Sequence, residues 1–477
     1  MKAPFSQFLA GQADGLKALI ALLGRRYDYV SVLSTDSVGF AARISQRAKS
    51  VVNDTMTTER GHVVRVHKDG LYSEAAFNAF DPAHPEATAE ALVRALDSQL
   101  ATLAAAGVEP YETGALEDEP QTLFVEMETE RLPEDEDMEA LIASLSVISD
   151  EAVKRGEGVL DCIASAQSTH ISKMFLTARR DLRQSYVYSE GTVAVIAAKD
   201  GRNELSHEGV SGRIGPELFA GLKDKLDDAL RVSGELLSAG RVEPGEYDII
   251  AAPDIAGLIA HEAFGHGVEM DMFVKDRALG AAYIGKRVGS DNVTMHEGAL
   301  CAESVTAYAF DDEGTLAGDV IEIDRGILKT GICDALSALR LGVKPTGNGK
   351  RQNFEHKVYT RMTNTIFDSG HDKLEDMIAS IKKGYLLEGV SSGMEDPKHW
   401  GIQCIMSRGY EIVDGKLTGK VVAPVVMTGY VPDLLGSVSM VSGDRAVSGN
   451  GGCGKGHKEW VKVADGGPYL KARARLG

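Results

Sequence analysis

Tyr247-Asp248-Ile249-Ile250-Ala251-Ala252, Asp254-Ile255-Ala256-Gly257-Leu258-Ile259-Ala260 and His261-Glu262-Ala263-Phe264-Gly265-His266-Gly267 follow one another just past the middle of the 477-residue chain. The first piece reads as a buried strand and the second as a helix packed on it. The third therefore rides on a rigid element. Two imidazoles and a carboxylate within six residues suit a hydrolytic zinc centre, because neutral His nitrogens bind Zn²⁺ and an adjacent Glu can take a proton from an activated water. The spacing needs explanation. His261 and His266 are five apart, and on a regular helix at about 100° per residue they diverge by roughly 140°. They share a metal only if the helix bulges or ends between them, and Gly265 and Gly267 supply residues that unwind at low steric cost. The plainer alternative is a helix end carrying two ordinary polar histidines.

A catalytic zinc takes three protein ligands and leaves one position open. Cys453 is the leading third donor: it stands in Gly449-Asn450-Gly451-Gly452-Cys453-Gly454-Lys455-Gly456, where little bulk obstructs close approach and Lys455 favours the thiolate. His457, Glu269, Asp271 and His296 compete with it, and a buried inert cysteine is the bland reading of Cys453 itself.

The length implies two or three domains, and 43% hydrophobic with 25% charged residues describes an ordinary globular chain. A formal charge of -19 repels phosphate backbones and anionic lipid, which argues against direct nucleic-acid or membrane binding. No secretory signal is read at Met1-Lys2-Ala3-Pro4-Phe5-Ser6, and Val421 to Gly443 is too interrupted by Pro424, Pro432 and glycines to span a bilayer. Five cysteines without a Cys-x-x-Cys pair point to reduced thiols and a cytoplasmic setting.

Residues 1–240 alternate helices and strands. Helices are expected to about Gly24, over Glu86 to Ala106 with Gly107 as the stop, after Pro133 with acids in its first turn, and from Pro216 to about Ala239. Strands are expected at Tyr27 to Ser34, Val51 to Asn53, Val63 to His67, Leu71 to Phe77 and Thr122 to Met127. An antiparallel sheet is expected across Gly158 to Ser211, and a sub-domain seam near 110–120. Residues 241–477 are strand-rich, with strands at Ser304 to Phe310, Val320 to Ile323, Gln403 to Tyr410 and Lys420 to Val426. Helices there are expected at Asp334 to Leu341 and His371 to Lys383. The fold class expected is α+β, with an α/β N-terminal domain and a β-rich, barrel-like C-terminal domain.

The chain resembles the TldD/PmbA family, once called modulators of DNA gyrase, and within it the TldD-type catalytic branch. The resemblance is carried by His261 through Glu269, by Thr346-Gly347-Asn348-Gly349-Lys350-Arg351-Gln352, by Thr360-Arg361-Met362-Thr363-Asn364-Thr365, and by Gly452-Cys453-Gly454-Lys455. It implies a cytoplasmic zinc metallopeptidase in which His261, His266 and Cys453 hold Zn²⁺ and Glu262 is the base. It also implies a heterodimer with a PmbA/TldE-like subunit that lacks the metal motif, or else a homodimer. The pattern departs after Cys453, where His457-Lys458-Glu459-Trp460 stands, and at Ser392-Gly393-Met394-Glu395-Asp396.

These readings converge on a zinc-dependent peptidase acting on short or unfolded peptides. Arg351, Arg361 and Asn364 are candidates for binding substrate backbone or its terminal carboxylate, set against structural roles in a glycine-rich sheet. The rival is a metal-stabilised scaffold that captures peptides or a regulatory partner without cleaving them, and a retained Glu262 counts against it.

Overall fold

The computed structural model describes residues 1–55, 57–106, 113–457 and 459–477. The expected stop at Gly107, part of the seam near 110–120, and Lys458 lie outside them. Helix and strand account for 27% and 42%, and nearly all strand pairs are antiparallel, which is the α+β class expected from the sequence.

The first sheet has eight strands, with Leu71–Phe77, Arg60–Lys68, Tyr29–Ile44, Val159–Leu176, Arg180–Lys199 and Gln121–Glu126 in spatial order. Strand alternation decides its two faces. Val30, Val32, Phe40, Ala42 and Ile44, all at even positions, point one way. There they are covered by the helices Gln7–Leu23 and Pro85–Ala105 at one end and Met138–Arg155 and Lys225–Ser238 at the other. The opposite face packs on the C-terminal half: Leu33, Phe175 and Leu182 meet Phe310, while Ile171, Tyr186 and Tyr188 meet Val305 and Tyr308. Ion pairs stitch the same boundary, with Arg65 on Glu313, Lys173 on Asp312 and Arg351 on Glu74. No helix among the described residues is long and apolar enough to cross a membrane.

The second sheet has eleven strands, and five of them close into a barrel: Gly245–Ala251, Lys383–Asp396, Gly401–Val413, Val425–Tyr430 and Ala464–Leu476. Closure comes from the last strand, which pairs antiparallel with the first from Leu470–Ala251 to Leu476–Gly245. The short helix Pro253–Ile259 is packed into this core, its Ile255, Ala256 and Ile259 buried among Ile249, Leu387, Cys404, Met406 and Leu470. Pro at its first turn needs no N–H partner, and Asp254 there accepts a 2.8 Å bond from Gly389 N, so the entry angle of the helix is fixed by the barrel wall.

Several elements differ from the sequence expectation. Ser304 to Phe310 forms no strand; its alternating Val305, Ala307 and Ala309 sit in an irregular loop wedged between the two halves. Pro133 opens a single 3₁₀ turn, and the α-helix starts at Met138, where Asp137 accepts from Glu139 N and Ala140 N. Pro216–Leu222 is likewise 3₁₀ before the α-helix Lys225–Ser238. The helix expected over 371–383 is confined to Leu374–Ala379 because Lys383 already pairs in the barrel. Lys420 to Val426 is divided between two strands at the cis Ala423-Pro424 bond.

Candidate metal centre

The helix that begins at Pro253 does not continue as a regular α-helix. From Ala260 to Gly265 it widens into a π-turn, and His266 N donates to His261 O, five residues back. A π-turn stacks residues i and i+5, so it brings together the two imidazoles that an α-helix would splay apart. Their ring centroids lie 5.1 Å apart. A Cβ at Gly265, at the widest point, would fall on Met362 Sδ, so any larger residue there must displace that buried methionine. A 3₁₀ turn, His266–Val268, then ends the run.

Cys453 reaches this point on a short hairpin, Gly452–Lys455 against Glu459–Lys462, with Cys453 opposite Val461. Its Sγ lies 3.5 Å from His266 Nε2, and donor atoms of His261, His266 and Cys453 all fall within 4.8 Å of one another. Burial disfavours charge on the sulfur, yet the two facing imidazoles outweigh it and hold the Cys453 pKa well below the ordinary thiol value. Burial would lower the pKa of His266, but the thiolate and Glu269 outweigh it and hold it well above the ordinary imidazole value.

The donors fit a zinc ion. Two imidazoles and a thiolate are a borderline-soft set, and His261 Nδ1 is buried with no hydrogen-bond partner among the described residues. His266 is oriented as a metal ligand requires: its Nδ1 lies 3.0 Å from Glu269 Oε2, leaving Nε2 for the site. Glu262 stands beside His261, against the backbone of Gly393; a Cβ at Gly393 would overlap the Glu262 side chain.

The hairpin is held by the segments that surround it. Arg361, 1% exposed, donates to Cys453 O and to Glu459 O, and Lys350 Nζ bonds Lys462 O at 2.6 Å and Met362 O at 3.2 Å. Lys455 Nζ sits between Asp271 at 2.7 Å and Glu269 at 3.0 Å and also bonds Thr360 O. Thus Glu269 and Asp271, weighed above as third ligands, serve as counter-charges to Lys455, and Glu269 also supports His266. Lys455→Met removes the cation between two buried carboxylates, which keep only Lys275 and His266 as partners, so unfolding in urea is expected to show a loss of about 3 kcal/mol.

The remaining candidates lie elsewhere. Arg351 is 8% exposed and bidentate to Glu74, and Asn364, fully buried, ties Gly298 O and Thr306 Oγ1. His457 is exposed, and His296 lies in a separate group with Cys301 and Asp319. Asp465, whose pKa burial raises to about 6, faces His261 and Glu262 from the last barrel strand; no spacing in the sequence pointed to it.

The C-terminal region, residues 244–472, matches the family model described as the PmbA/TldA metallopeptidase C-terminal domain. The chain is 30% identical over 304 residues to a metalloprotease TldD homolog of Buchnera aphidicola, covering 61% of each chain. It is 29% identical over 240 residues to a zinc metalloprotease TldD homolog of Saccharolobus solfataricus, covering 50% of this chain and 52% of the relative. These matches therefore span between half and two thirds of the relatives' lengths. The structure of TldE from Thermococcus kodakarensis superposes with a TM-score of 0.75 at 18% identity, over 97% of this chain and all of that one, which shows the shared fold. By model and relatives alike, the C-terminal region resembles that of a metallopeptidase-type family. Residues 244–472 are thus similar to the TldD/PmbA C-terminal domain, and the relatives support a TldD/PmbA family member.

Proposed function

We propose that this chain is a TldD-type catalytic subunit that hydrolyses peptide bonds in short or unfolded peptides. The observation that carries the reading is the convergence of His261, His266 and Cys453 across a π-turn, with Glu262 adjoining. Those three residues would hold Zn²⁺, which supplies Lewis acidity toward the scissile carbonyl. Glu262 then takes a proton from the attacking water at a carboxylate oxygen as the new C–O bond forms, and delivers it to the amide nitrogen as the C–N bond breaks. Glu269 fixes the His266 tautomer, and Arg361 and Lys350 hold the Cys453 hairpin in place. We assign Arg351 and Asn364 to structural roles away from the hairpin, since their side chains are committed to Glu74 and to Gly298 and Thr306.

The likeness of the fold to TldE supports a PmbA/TldE-like partner or a second copy, and the five free cysteines suit a reducing cytoplasm. Incubation with a peptide library, read by mass spectrometry with and without chelator, is expected to show cleavage that the chelator abolishes. Peptides retained intact but bound would instead support the scaffold reading.

A further inference from the structure

His296, Cys301 and Asp319 form a second group whose donor atoms fall within 4.8 Å of one another. His296 stands on the outward side of the strand Met295–Glu297, whose next residue, Glu297, is fully buried. Its Nδ1 lies 2.7 Å from Asp319 Oδ1, and its Nε2 lies 3.2 Å from Asp368 Oδ2. Cys301 Sγ lies 3.1 Å from the same Asp319 oxygen.

The hydrogen-bond inventory of a neutral imidazole cannot satisfy both contacts: one ring nitrogen donates, and the other has only a lone pair. With Nε2–H given to Asp368, a lone pair on Nδ1 faces a carboxylate oxygen. A second proton on the ring, or a metal ion in its place, reconciles the two contacts. A metal ion would in addition gather the Cys301 sulfur, which lies against the same Asp319 oxygen. An imidazole nitrogen, a thiol and a carboxylate oxygen converging on one spot, with a further carboxylate behind the imidazole, is the arrangement of a zinc ligand set with its supporting shell.

We propose that His296 Nδ1, Cys301 Sγ and Asp319 form a second divalent-metal site, selective for zinc-like ions, with Asp368 orienting His296. It is distinct from the His261 centre and independent of the hydrolytic reading. The thiol donates to a carboxylate rather than to an imidazole, so the group is not arranged as a cysteine nucleophile with its base. Solvent reaches it through Asp319 and Asp368, whose side chains are 47% and 43% exposed, which leaves room for a fourth ligand.

The position gives the site a task. Cys301 and Asp319 sit at the two ends of the loop 302–318, whose neck is closed by Leu300 N on Gly318 O. This loop is anchored in the C-terminal half, with Thr306 Oγ1 on Thr363 O and Tyr308 OH on Gly347 O, and docks it on the first sheet, where Gln184 caps Ala309 N and Phe310 O and Asp312 and Glu313 make the ion pairs described above. A metal across the neck clips the loop shut and lowers the entropy cost of holding it in place.

Zinc stoichiometry and Co²⁺ absorption test this. The wild-type chain is expected to bind two ions, Cys301→Ser and Cys453→Ala one each, and Asp368→Asn two, the second weakened about 10- to 100-fold. In the Cys453→Ala chain the thiolate–cobalt charge-transfer band should persist, and adding Cys301→Ser should remove it. If Cys453→Ala does not fold, the wild type decides: the band should grow through two equivalents and, in Cys301→Ser, stop at one. A single ion in the wild type, or a second ion that Cys301→Ser binds equally well, would overturn the proposal.

Discussion

Cys453→Ala is expected to cost the chain its first zinc ion and all of its peptidase activity while leaving it folded. If the about 10–16 kcal/mol that holds zinc in four-ligand sites is shared equally, one thiolate contributes roughly 2.5–4 kcal/mol, a loss of about two to three orders of magnitude in affinity. The folding cost is smaller. Cys453 belongs to a small cluster with Ile332, Met362, Val461 and Val463, and removing one sulfur from it is worth about 1 kcal/mol. The hairpin keeps its anchors, because Arg361 and Lys350 bind backbone carbonyls that the substitution does not touch. Metal analysis after dialysis and circular dichroism on the same sample separate the two effects. Wild-type zinc content in the variant would move the third ligand elsewhere.

Glu262→Gln is expected to do the opposite: full zinc, no useful turnover. The amide occupies the same space against Gly393 but cannot accept a proton, so the loss in kcat should be on the order of 10²- to 10⁴-fold with KM little changed. A structural role for Glu262 predicts a different pattern, with lowered stability or metal content and a proportionate loss of activity. Equal zinc with wild-type turnover would remove Glu262 from the reaction.

How far the sequence was legible depended on whether the information was local. The strand–helix support under His261 was readable because apolar spacing is local, and the five-residue His–His interval required the distortion that the π-turn supplies. Tyr29–Ile44 is much longer than the strand expected at Tyr27 to Ser34, because polar Ser34 to Ser37 reads as a strand end. In the fold these residues are buried beneath other chain segments, Ser34 against His62 and Ser37 against the carbonyls of Thr57 and Glu59. The loop 302–318 failed in the reverse sense: its alternation mimics a strand, but what it buries lies on the other half of the molecule. Glu269, Asp271, His457 and His296 were chemically interchangeable as third ligands. Only the fold separates them, placing two beside Lys455, one in solvent and one in a group of its own. Arg361 was similarly ambiguous, since a guanidinium that clamps a hairpin and one that binds a substrate carboxylate read alike in sequence.

The most direct test of the central claim is zinc-edge X-ray absorption on the Cys301→Ser chain loaded with one equivalent of zinc, so that only the His261 centre can supply sulfur. The account predicts one sulfur at about 2.3 Å together with two imidazole nitrogens near 2.0–2.1 Å. A first shell of nitrogen and oxygen alone would contradict it.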